Sequence, residues 1–139
     1  MLGPIPPYPV PVVRLILVDN HKRVLLLQRA DGTYGSGSWC LPGGKIDYGQ
    51  TVEEVVQKEL KEETNLNLMN CRFLFFQDSL PMKPGAMHCL NLYFECRASG
   101  EIALNQESTE FRWIGPEEIG QFDIAFRNDA GLRSYWQSL

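Results

Sequence analysis

The sequence predicts an α/β fold, a sandwich around a mixed β-sheet. Three observations carry this. Strand-like segments stand on both sides of one strongly patterned helix, a second helix-like segment closes the chain, and no internal repeat or low-complexity block interrupts the order. At 139 residues the chain can bury a sizeable core, and 1–139 reads as a single domain.

Taken in order, the prolines of residues 1–11 make an extended arm that leads into a strand. Val12 to Val18 (VVRLILV) is β-branched and apolar enough for that strand. Asp19 to Lys22 is a turn and Arg23 to Gln28 a second strand, which together suggest a hairpin. Asp31 to Ser38 (DGTYGSGS) reads as a mobile loop able to fold over a ligand. Trp39 to Pro42 is a short apolar segment, followed by a Gly43-Gly44 loop and the patterned helix. Further strands are expected within Leu68 to Gln77, His88 to Arg97 and Glu110 to Ile114. Pro116 to Ile119 resembles a first helical turn, and Arg127 to Gln137 a closing helix. Phe73, Phe75, Phe76, Tyr93 and Phe94 are core candidates, while Tyr34, Phe126 and Trp136 lie in more variable segments where a ring can stack on a base.

Composition excludes several classes. The 44% hydrophobic and 22% charged residues are ordinary for a globular protein. A net charge of −4, from 13 basic against 17 acidic residues without a basic run, argues against a nucleic-acid surface. No apolar run approaches the ~20 residues that span a bilayer, and the first residues lack the charged leader of a signal peptide. Cys40, Cys71, Cys89 and Cys96 form no Cys-x-x-Cys pair, so buried reduced thiols in a cytoplasmic protein are expected.

The helix is the informative element. Thr51 and Glu54 form a capping-box pattern, and Asn65 suits the left-handed position that ends a helix. On a helical wheel Val52, Val55, Val56 and Leu60 share one side, and Glu53, Glu54, Gln57, Lys58 and Lys61 the other. Glu59, Glu62 and Glu63 continue the valine stripe. Carboxylates at i, i+3 and i+4 lie roughly 5–6 Å apart and repel. They also oppose the helix dipole. Buried without partners they are costly, so a cation is expected among them. An oxygen-rich anionic cluster suits a hard divalent ion, Mg²⁺ with Mn²⁺ as substitute. A solvated acidic face would set the glutamates opposite the valines, and they are not there.

Gly44 to Leu66 resembles the Nudix box, G-x5-E-x7-R-E-U-x-E-E-x-G-U with U aliphatic. Gly44, Glu59, Leu60, Glu62, Glu63 and Leu66 match without insertion or deletion, and Trp39, Leu41, Pro42 and Gly43 resemble its usual lead-in. Gln50, Lys58 and Asn65 depart from the pattern, where the family has Glu, Arg and Gly. Lys58 keeps a charge near Glu62 without the planar fork of arginine. Gln50 keeps hydrogen bonding but loses a charge that serves a loop–helix tie or a second metal.

The resemblance implies a Nudix-type α/β/α sandwich with a central mixed β-sheet, and a metal-dependent hydrolase that cleaves a nucleoside diphosphate linked to another moiety. Glu59, Glu62 and Glu63 are then catalytic and metal-binding, with the Gly44 carbonyl as a further ligand. Glu62 or Glu63 is the general base, a choice the sequence leaves open. Glu110, three residues before Trp113, resembles a strand-end Glu-x-x-Trp feature that adds a metal ligand; a structural ion pair is the alternative. Arg29, with Gly43 and Gly44, is the substrate-binding candidate, through charge-assisted contact with phosphate. Lys58 and Gln50 support the site. Pro81 lies in a loop where ADP-ribose-hydrolysing members carry proline, whereas GSGSWCLPGG resembles MutT-like triphosphate pyrophosphatases, so both substrate classes stand. A nucleotide-sensing or interaction module without turnover is the alternative function. The expected partner is a small nucleotide rather than nucleic acid or membrane, and the arm offers a route to a homodimer.

Overall fold

A computed structural model describes residues 4–139, so residues 1–3 of the expected arm lie outside the described residues. The elements in order are β1 (Val10–Leu17), β2 (Val24–Arg29), β3 (Trp39–Cys40), β4 (Gly43–Lys45), α1 (Val52–Thr64), β5 (Asn67–Ser79), β6 (Cys89–Ser99) and β7 (Ser108–Ile114). A 3₁₀ helix (Pro116–Gln121) and α2 (Asn128–Gln137) follow. Among the described residues no helix is long and apolar enough to cross a membrane.

Two sheets form. The first is mixed, in the order β4-β1-β6-β5: β1 runs antiparallel to β4 and parallel to β6, and β5 runs antiparallel to β6. The second, β3-β2-β7, is antiparallel. Alternation along β1 and β2 then divides the core between two helix layers. Val13, Leu15, Leu17, Leu25 and Leu27 pack with Val55, Val56 and Leu60 of α1. Ile16, Val18, Val24 and Leu26 pack instead with Leu132 and Tyr135 of α2. Strands buried on both faces explain why their sequences are nearly continuous apolar runs. This is the expected sandwich.

The hairpin expected from β1 and β2 does not form. Asp19 holds the turn, its carboxylate accepting from the His21 and Arg23 N–H groups at 2.9 and 2.8 Å. Beyond it the strands meet only at the Val18–Val24 bridge, then separate into different sheets. Each needs a neighbour on both edges, and β4 and β6, or β3 and β7, provide it. Gly43 and Gly44 likewise lie in strand β4 rather than a loop, paired with Arg14 and Val13.

The core expectation needs two further corrections. Phe73 and Phe76 are exposed, because β5 is an edge strand and bulges at Leu68/Asn70 and Phe73/Phe75 change which face each side chain takes. Cys71 is exposed on the same strand, while Cys40, Cys89 and Cys96 are buried; all four are free thiols.

Helix α1 begins and ends as its sequence dictates. The Glu54 N–H donates to Thr51 Oγ1 at 3.2 Å, and the Thr51 N–H donates to Glu54 Oε2 at 3.4 Å. Asn65 closes the helix at φ 66°, its N–H donating to the Lys61 carbonyl at 2.9 Å. Val55, Val56 and Leu60 are fully buried, each contributing about 1.5–3 kcal/mol. Thr51→Ala is expected to lower stability by about 1 kcal/mol in urea unfolding; an unchanged midpoint would show that the cap contributes nothing.

Candidate active site

The last two turns of α1 carry Glu59 and Glu63 toward a cavity of about 620 Å³ at the separated ends of β1 and β2. Strand β4 is the brace. The Gly43 N–H donates to Glu63 Oε2 at 3.2 Å. A Cβ at Gly44 would collide with the Glu59 carboxylate, and one at Gly43 with the Val13 carbonyl. Both glycines are thus required by close approach rather than by a turn.

The two carboxyl groups share a hydrogen bond, and burial raises the pKa of both. The shift is larger for Glu63, which is 6% exposed: burial comes first, followed by the hydrogen bond to Glu59 and its negative charge. A proton shared by the pair therefore favours Glu63, with Glu59 as the acceptor. For Glu59 that hydrogen bond, and then the Lys58 ammonium 3.7 Å away, work against the effect of burial.

Glu62 parts from its neighbours. It is exposed, its carboxylate 3.7 Å from Lys58 Nζ one turn back, and it does not line the cavity. The prediction that all three glutamates share the buried face thus holds for Glu59 and Glu63 alone. Among the described residues no three acidic, histidine or cysteine side chains converge on one point. Glu110 is not brought to the site either. It sits exposed on β7 with Arg112 Nε donating to it at 3.0 Å, the structural ion pair that stood as its alternative. Glu107, just before β7, lines the cavity, and its charge adds to the upward shift of Glu59 and Glu63.

The other expected residues divide between the cavity, the loop before α1 and the α2 core. Arg29 lines the cavity, half-buried, donating to the Tyr34 carbonyl and to Cys40 Sγ at 3.6 Å, with no carboxylate partner among the described residues. Gln50 accepts from the Asp47 N–H at 2.9 Å, a contact within the loop before α1 rather than a tie to the helix. Tyr34 and Phe126 stack with centroids 5.9 Å apart, and both line the cavity; Trp136 packs into the α2 core instead. The arm reaches the same cavity through Pro4 and Ile5.

Sequence reasoning misses Arg14, which belongs to the same cavity. It is 5% exposed, donates Nε–H to Asn91 Oδ1 at 3.0 Å, and has its guanidinium 4.5 Å from the Phe126 ring centroid. The one signal in the sequence is a lone charge inside VVRLILV. Asn91, fully buried, also donates to the Gln77 side chain and to the Phe126 carbonyl, both at 2.9 Å. Gln77 in turn donates to the Arg127 carbonyl at 3.0 Å and accepts from Tyr93 OH at 2.8 Å. Burial pushes the Tyr93 pKa up to about 12, so it remains a donor. This network fixes two successive non-glycine residues in left-handed geometry, Phe126 at φ 61° and Arg127 at φ 57°. The Phe126 ring is thereby set into the cavity.

Known proteins resemble this chain in sequence and in fold. A profile of the NUDIX domain matches residues 8–135. The chain belongs to the Nudix family. It is thereby a hydrolase of pyrophosphate bonds. The nucleoside triphosphatase NudI of Escherichia fergusonii is 31% identical over 119 residues, covering 78% of this chain and 84% of the relative. NudI of Escherichia coli O139:H28 is 29% identical over 128 residues, 84% of this chain and 90% of its own. Among solved structures, the MutT protein of Methanosarcina mazei superposes at TM-score 0.80 with 22% identity, over 95% of this chain and 97% of its own. The NUDIX domain of Shewanella oneidensis NrtR, solved with ADP ribose, gives 0.70 with 21% identity over 91% and 88%. These two show the Nudix fold.

The raised Glu63 pKa has a consequence for stability. The unfolded carboxyl titrates near 4.5, and the folded one above it, so folding retains a proton that the unfolded chain releases. Stability is full below that pH and falls as pH rises toward the folded value. Glutamine at this position has no proton to lose. With metal chelated, Glu63→Gln is therefore expected to melt higher than wild type at pH 8, the gap widening steadily from pH 5 upward. Thermal melts from pH 4 to 8 check this; a variant no more stable at pH 8 would contradict it.

Proposed function

We propose that this Nudix protein is a divalent-metal-dependent pyrophosphohydrolase of nucleoside triphosphates. The observation that carries the reading is a single cavity joining a buried carboxyl pair to an aromatic pair and two arginines, which have no acid partners among the described residues. The NudI relatives support triphosphates, and ADP-ribose-like nucleotides stand second, on the bound ligand of the NrtR domain. The donor set fits a hard cation: oxygen ligands only, a surplus of negative charge around the cavity, and a glycine at 44 that lets the Glu59 carboxylate lie against the backbone. Glu59 and Glu63 would hold Mg²⁺, or Mn²⁺ in its place, with the Gly44 carbonyl and Glu107 beside them. When bound, the ion would neutralise diphosphate oxygens and lower the pKa of water.

The chain's own groups do the rest. Arg29 binds phosphate oxygens and holds the substrate chain across the glutamate wall. A water attacks one phosphorus, the bridging P–O bond breaks, and the leaving phosphate group takes the bonding pair. The water's proton passes to a carboxylate of the Glu59–Glu63 pair, for which we favour Glu63 as base once its own proton has left. Glu62, exposed and outside the cavity, is assigned no proton-transfer role.

Turnover of nucleoside triphosphates, deoxynucleoside triphosphates and ADP-ribose in the presence of Mg²⁺ tests the proposal. Glu59→Gln and Glu63→Gln are expected to lower kcat roughly 10²–10⁴-fold, with circular dichroism unchanged. Wild type that binds these nucleotides and turns over none would move the reading to a sensing module.

A further inference from the structure

Away from the cavity, two of the four cysteines face each other across a pair of strands. Cys71 of β5 stands directly opposite Cys96 of β6 in the antiparallel register. Bulges at Leu68/Asn70 and Phe73/Phe75 disturb the ladder on either side, and the stretch between them pairs residue for residue. Cys96 is fully buried in the core that α1 covers, whereas Cys71 is exposed on the outermost strand of the sheet. Both are free thiols, and their side chains meet. Burial, and then the Cys71 thiol beside it, push the Cys96 pKa up. Cys40 and Cys89 lie elsewhere, buried in β3 and at the start of β6 opposite Ser79.

We infer that Cys71 and Cys96 form a redox modification site, a dithiol that small disulfides such as oxidised glutathione convert to a cross-strand disulfide within the chain. Opposed residues of an antiparallel pair have Cα atoms about 4.5–5.5 Å apart. That lies inside the roughly 4.4–6.8 Å that a disulfide spans. The bridge therefore forms without a shift of either strand. Exposure sets the order of events. The Cys71 thiolate attacks one sulfur of the small disulfide, the S–S bond breaks, and one thiolate leaves with the bonding pair. Cys96 then gives up its proton to solvent base and attacks Cys71 Sγ, expelling the second small thiolate. Two protein thiols are oxidised as one small disulfide is reduced to two thiols, so atoms and electrons balance. The reagent never has to enter the core, because the target of Cys96 is the sulfur beside it.

The test incubates the native full-length chain with oxidised glutathione at pH 8, counts free thiols in denaturant, and maps peptides without reduction. The expected product is monomeric and has lost two of its four thiols. It should yield one linked peptide pair carrying Cys71 and Cys96, and dithiothreitol should restore all four thiols. Cys71→Ser, a change at an exposed position, should leave its remaining thiols reduced. Cys96→Ser should instead hold glutathione on Cys71 as a mixed disulfide. Wild type that keeps every thiol overturns the inference, whether or not the variants fold. So does wild type that stops at a glutathione adduct on Cys71, or a linked peptide carrying Cys40 or Cys89. A covalent dimer through Cys71, made along the edge where Phe73 and Phe76 are exposed, overturns it as well.

Discussion

The structure depends on a carboxyl group placed where a carboxylate is unstable. Glu63 lies behind strand β4, bonded to the Gly43 amide and to Glu59, with almost no contact with water. A buried acid in this setting is neutral, or else it is matched by positive charge. Burial favours the first condition, with Glu59 as the acceptor of the shared hydrogen bond. The arrangement is a balance between proton and cation, and every neighbouring choice keeps it poised. Gly44 leaves space beside Glu59, Lys58 supplies one weak external charge, and Glu107 adds a negative one.

Access to that pair comes from the parting of β1 and β2. Their common turn is held by Asp19, but they enter different sheets, so the gap widens away from Val18 and Val24. Arg14 and Arg29 face the gap from the two strands. The polar chain from Asn91 through Gln77 and Tyr93 then fixes the Phe126–Arg127 corner, which closes the gap with an aromatic surface. One geometric event, the separation of two strands, thus produces the cavity and sets both arginines within it.

Much of this is legible in the residues. The cap at Thr51, the left-handed Asn65, the valine stripe and the placing of Glu59 and Glu63 follow from local rules that tertiary structure does not override. What the sequence hides is pairing. A short Asp-Asn-His-Lys turn reads as a hairpin, and nothing local says that β4 and β6 will claim the edges of β1. Glu62 escapes the helical wheel because the wheel fixes a direction but does not show that β4 covers Glu63 and leaves Glu62 exposed. Glu110 is suggested by its distance from Trp113, whereas Glu107 reaches the cavity from the turn before the strand. Phe73 and Phe76 read as core because a bulge, which shifts the side-chain phase, leaves no mark in an apolar run.

The central claim is that the pair holds a proton which a divalent cation replaces. Calorimetric titration of Mg²⁺ into the protein at pH 7, repeated in buffers of different ionisation enthalpy, counts protons released on binding. The account predicts that about one proton leaves per ion bound in wild type, and that Glu63→Gln abolishes the release. Binding of Mg²⁺ to wild type with no proton released would show that Glu63 is already ionised, and would contradict the account.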